Sequence, residues 1–105
     1  MVDDAQATIG VMVGHLMNAA QERTEVYKVG LHATPLLDTL AEVTIAWLLL
    51  RHGEGALAAE PSPFYEGKVA SARFFVRHVA PKVAARRAAV EAEDGALMKM
   101  ADEAF

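Results

Sequence analysis

Hydrophobic residues recur along this chain at steps of three and four, the period of helices that bury one face, and nowhere in sustained strict alternation. Three long amphipathic segments follow from that spacing. The first runs from about Asp4 to about Val29, with Ala5, Ile9, Met12, Leu16, Ala19 and Val26 or Tyr27 on one face. Asp3 with Gln6 has the form of a capping box, and Gly30 stands where a left-handed C-cap would end the helix. The link Leu31-His32-Ala33 then leads to Thr34-Pro35, a hydroxyl N-cap followed by proline at the first helical position. The second helix extends to about Ala59, and Leu36, Leu40, Val43, Trp47, Leu50 and Leu57 make its core face. Glu60-Pro61-Ser62-Pro63 breaks the pattern and repeats the cap-plus-proline start. The third helix reaches about Ala92, its bundle seam formed by Tyr65, Val69, Ala72, Val76, Val79, Val83, Arg86 and Val90. Beyond Gly95, Leu97, Met98, Met100 and Phe105 mark a short C-terminal helix closing the bundle. The expected fold is all-α: an up-down-up antiparallel bundle of three long helices plus a short C-terminal helix, one domain spanning residues 1–105.

The run from Val43 to Arg51 departs from simple amphipathicity. It holds the only tryptophan, and it is apolar on every side rather than along one stripe. Ile45 and Leu49 point away from the core face, and Phe74 lies behind the seam of the third helix. Scattered surface apolars are ordinary, but aligned ones indicate an interface. Ile45, Leu49 and Phe74 are therefore expected to meet a second copy, giving a homo-oligomer, or another protein surface.

Charge changes this picture in one place. Six of the ten basic residues lie on the third helix, namely Lys68, Arg73, Arg77, Lys82, Arg86 and Arg87, with no acid between Gly67 and Val90. Arg73 and Arg77, one turn apart, are candidates for an anion or partner contact. Pairing with the acidic first helix is the plainer expectation. The formal net charge of −4 argues against nucleic acid and anionic membrane as partners. No phosphate loop, dinucleotide fingerprint or nucleophile elbow is present, and the four histidines fall on separate segments without metal-ligand spacing. No catalytic, cofactor-binding or metal residue is assigned. The lack of cysteine excludes disulfides and leaves the redox compartment unread. An acidic N-terminus stands in place of a basic leader, and a cytoplasmic location is expected.

Several of these residues also form a familiar set. Ala46-Trp47 within the apolar run, Tyr65 to Phe75 with its Gly67-Lys68 and Ala72-Arg73-Phe74-Phe75, Ala80-Pro81, and Leu97-Met98 with Glu103 and Phe105 together resemble the C-terminal extension domain of a subgroup of acyl-CoA dehydrogenases. The match covers about the last two thirds of the chain, and Ala80 stands where that family usually has leucine. The resemblance implies a C-terminal fragment of a longer flavoenzyme, non-catalytic itself and contributing to subunit packing and stability. It further implies a catalytic body that binds FAD, oxidises an acyl-CoA thioester between Cα and Cβ, and passes electrons to an electron-transfer flavoprotein. Members with this extension are often labelled as 3-methylmercaptopropionyl-CoA dehydrogenases. The alternative reading is a stand-alone helical dimerisation or adaptor module.

Overall fold

A computed structural model describes all residues 1–105. Three helices run up, down and up: α1 is Val2–Asn18, α2 is Thr24–Ala58 and α3 is Pro63–Ala92. Two short 3-10 turns, Ala96–Lys99 and Asp102–Ala104, complete the chain. The expected all-α bundle is the observed one, with no strand.

The helix starting α3 forms as its sequence dictates. Ser62 is the N-cap, its hydroxyl accepting from the Tyr65 backbone N–H at 3.3 Å, and Pro63 takes the first helical position. The seam of α3 follows the spacing in part: Ala72, Val79, Val83 and Val90 are buried, Val69, Val76 and Arg86 are half-buried, and Tyr65 is exposed.

The boundary between the first two helices lies elsewhere than expected. α1 stops at Asn18, not near Val29, and the turn spans residues 19–23. Gly30 and the Thr34-Pro35 pair both lie inside α2 instead of separating two helices. The physical reason is pairing. α1 lies against α2, where Ile9, Met12, Val13 and Leu16 line one apolar depression with Val29, Ala33 and Leu36, and this requires the chain to reverse before residue 24. The turn is closed by N–H groups of Gln21 and Glu22 on the Asn18 carbonyl, at 3.1 and 3.0 Å. A proline inside a helix costs about 3 kcal/mol, and the packing on α1 offsets it. At the start of α1, Met1 is the N-cap and Asp3 sits inside the first turn, so the expected capping box does not form.

The C-terminal helix is reduced to turns. Gly95, at φ 69°, bends the chain beside Thr24 and Lys28. Leu97, Met98, Met100 and Phe105 remain exposed, so this segment adds little core.

Only thirteen of the 105 residues are buried, and the molecule extends 66 × 27 × 15 Å. The cause is a mismatch of lengths. At 1.5 Å per residue the 35 residues of α2 span roughly 52 Å, about twice the reach of the 17 residues of α1. A true three-helix core therefore exists only where α1 lies, around Ala5, Val79 and Val83, with Met1, Val43 and Phe75 packed against them. The remaining half, roughly residues 44–78, is a bare two-helix hairpin.

Candidate interface on the bare half of the hairpin

Two helices in contact bury only the residues directly between them. In α2 these are Thr39, Ala46, Gly53 and Ala56, all small. Large apolar residues flanking that line stay in solvent. Trp47 is 54% exposed, Leu50 50% and Leu57 74%, so the expectation that they form the core face is overturned, as it is for half-exposed Leu40. Trp47 is instead covered by the Arg51 guanidinium, 5.2 Å above its ring.

Two apolar depressions flank the hairpin. One is a trough of about 420 Å³ with Gly53 and Ala72 at its floor, Leu50, Leu57, Val69 and Val76 as its walls, and Glu54, Arg73 and Arg77 at its rim. The other, of about 480 Å³, is lined by Leu49, Ala70, Ser71, Phe74 and Phe75. The second gathers two of the residues expected at an interface. Phe74 is 62% exposed and stacks on His78 with ring centroids 4.0 Å apart, while Leu49 is half-buried against α3. Ile45 is exposed one turn before Leu49, on the same side of α2.

Arg73 and Arg77 are distinguished by what they lack. The other two arginines of α3 have partners: Arg86 donates to the Glu42 carboxylate and to the Thr39 hydroxyl of α2, and Arg87 donates to Asp4 of α1 and to Glu91. The Glu91 bond first, and then Asp4, raise the Arg87 pKa further above its usual value. Arg73 and Arg77 form no ion pair, and both line the trough rim and the outer surface beside Phe74 and His78. Pairing with the first helix thus accounts for one of the basic residues of α3, not for these two.

At the opposite end the titratable groups act as clasps. His15 of α1 pairs with Glu25 of α2, and Lys28 donates to the same carboxylate at 2.9 Å. The Lys28 bond first, then His15, hold Glu25 below the usual carboxylate range. His32 meets Glu93 at 3.3 Å, tying α2 to the end of α3.

No nucleophile faces an acid or base in either depression. What this half of the molecule can do is bind an apolar surface and pair carboxylates with two arginines. Sequence spacing marked Ile45 and Phe74 as exposed but not that Leu49 is half-buried, and it missed Trp47, Leu50 and Leu57 as exposed. The signal for them was present in Thr39, Ala46 and Gly53, a heptad of small residues that marks the true contact line.

One helix, α2, is long and apolar enough by length and composition to cross a membrane. Its apolar surplus is explained equally by a protein surface that covers both depressions.

Comparison with known proteins bears on what that surface is. The family model described as "Acetyl-CoA dehydrogenase C-terminal like" matches residues 1–101. The chain is also 36% identical over 109 aligned positions to the "Broad-specificity linear acyl-CoA dehydrogenase FadE5" of Mycobacterium tuberculosis. That alignment takes in 97% of the chain but only 18% of the relative's length.

Proposed function

The chain belongs to the acetyl-CoA dehydrogenase C-terminal-like family, and from that premise we propose that it is a non-catalytic helical domain appended to an FAD-dependent acyl-CoA dehydrogenase. Its role is to pack the catalytic body and neighbouring subunits together. The observation that supports this is the bare hairpin half, where Trp47, Leu57 and Phe74 are more than half exposed and no third helix covers them. Apolar area removed from water is worth roughly 25 cal/mol per Å², so covering such a surface stabilises whatever covers it.

In this reading FAD sits in the catalytic body. The chain offers no glycine-rich phosphate cradle, since its one left-handed glycine, Gly95, opens a four-residue turn. No residue here is assigned to the flavin or to the acyl-CoA, and the electron-transfer flavoprotein is a partner of the body. Linear acyl-CoA thioesters are the substrate class that the similarity favours, with 3-methylmercaptopropionyl-CoA a narrower candidate from the sequence resemblance. Ile45, Leu49 and Phe74 then serve a subunit contact, and the enzyme is a cytoplasmic homo-oligomer.

The test is the reading frame upstream of Met1 together with the spectrum of its product. A continuous frame whose product shows flavin absorbance that bleaches on addition of a linear acyl-CoA is the expected result. A stop codon directly before Met1 would overturn the proposal and leave a stand-alone dimerisation or adaptor module.

A further inference from the structure

The trough between α2 and α3 is the continuation of the groove that α1 already fills, and its residues repeat the same pattern. Along α2, Val29, Leu36, Val43, Leu50 and Leu57 recur every seven residues, and along α3 so do Val69, Val76, Val83 and Val90. α1 covers the near members: Val29 and Leu36 flank Met12, while Val43 and Val83 pack around Ala5. The far members, Leu50, Leu57, Val69 and Val76, are the walls left open.

The start of α1 lies at the boundary. Met1 packs on the Ala5, Val79 and Val83 cluster, and α1 runs antiparallel to α2 and parallel to α3. A chain extended backward from Met1 along the same axis therefore enters the trough directly.

The rim supplies a charge argument. Arg87 of α3 donates to the Asp4 carboxylate of α1 at 2.9 Å. Arg73 occupies the same heptad position two repeats earlier, on the rim of the open trough, and has no ion pair.

From these relationships we infer that a helix of the polypeptide immediately upstream of Met1 lies in the trough and completes the three-helix bundle along its whole length. This rests on the proposed placement of the chain behind a catalytic body. The relative supplies the room, since more than four fifths of it lies outside the match. Covering the stretch from Trp47 to Ala58 takes about 12 helical residues, roughly 18 Å. The occupant is amphipathic. Its apolar stripe meets Leu50, Leu57, Val69 and Val76, and a carboxylate about two heptads before Asp4 meets Arg73, as Asp4 meets Arg87.

Hydroxyl-radical footprinting of the complete polypeptide tests this, with labelling at each residue normalised to the unfolded protein. Leu50 and Leu57 are expected to label severalfold more slowly than Tyr27, an exposed residue near the start of α2, and to stay protected on dilution to the monomer. Arg73→Glu is expected to restore labelling at both leucines, whereas Lys68→Glu, which sits over the Phe64 ring outside the trough, leaves them protected. Labelling of Leu50 and Leu57 at the Tyr27 rate overturns the inference. So does protection that vanishes on dilution, which would place a second copy in the trough. Unchanged protection in Arg73→Glu contradicts the carboxylate. Flavin absorbance of the same preparation reports separately on the parent enzyme, so the two readings fail independently.

Discussion

Gly53 of α2 and Ala72 of α3 face each other so closely that a methyl group added at Gly53 would lie 3.8 Å from the Ala72 Cβ. Both are buried, at the point where the hairpin has no third helix to support it. This contact sets how near the two helices run, and hence which side chains are left outside.

The distance is an ordinary van der Waals contact, so Gly53→Ala fits without moving α3. Alanine is about 1 kcal/mol better than glycine in a helix interior, and thermal melting of Gly53→Ala should rise by roughly 4–8 °C. Gly53→Leu cannot fit between the helices and should lower the melting temperature. An equal fall for both would mean that Gly53 is needed for its backbone freedom rather than its size.

Trp47 separates an exposed aromatic from a core one. In the bundle by itself Trp47→Ala should lose less than about 1 kcal/mol, because half the ring is already in water. Val83→Ala, at a fully buried position touching Ala5, should lose about 2 kcal/mol. Urea unfolding of the two variants checks the order, and a larger loss at Trp47 would contradict the described core.

Arg86 stands between α2 and α3, donating to Glu42 and Thr39 with most of its side chain covered. Glu42→Ala leaves the guanidinium without its carboxylate and should cost about 1–3 kcal/mol. Adding Arg86→Met to that variant should recover part of the loss, since the apolar stem still fills its place. Failure of the double variant to recover would place the effect in Glu42 packing alone.

Glu25 links stability to acid. Its pKa is lowered in the folded state, by Lys28 first and His15 second, so its contribution is fully present above the ordinary glutamate range and disappears as pH falls through the depressed value. The difference in melting temperature between the native chain and Glu25→Gln should shrink as pH falls below the ordinary glutamate range, through the depressed value. A difference that persists undiminished below the depressed value would contradict the clasp.

The parts of the fold legible in the sequence were those set by local chemistry. Ser62-Pro63 starts α3 as written, and of its valine spacing Val79, Val83 and Val90 are buried while Val69 and Val76 are only partly covered. Where local signals met tertiary pairing, pairing won: Gly30 and Pro35 read as a break, yet α2 runs through both because α1 packs along it. The core face of α2 was misread because large apolar residues usually lie inside. Here Leu40, Trp47, Leu50 and Leu57 flank a contact line of Thr39, Ala46 and Gly53, and a chain with one short and two long helices cannot enclose them. Ile45 and Phe74 are exposed as their spacing suggested, whereas Leu49, expected on the uncovered back of the helix, is half-buried against α3. The trough was not legible, since it exists only as the unfilled end of a groove whose length depends on where α1 stops.

The account as a whole is tested most directly by removing residues 1–105 from the complete polypeptide and comparing flavin absorbance, acyl-CoA-driven bleaching and assembly by sedimentation. The expected result is an enzyme that still binds flavin and is still bleached by a linear acyl-CoA, but melts lower and assembles into smaller species. Unaltered assembly and melting after the deletion would contradict a packing role, and loss of bleaching with flavin still bound would contradict a domain without chemistry of its own.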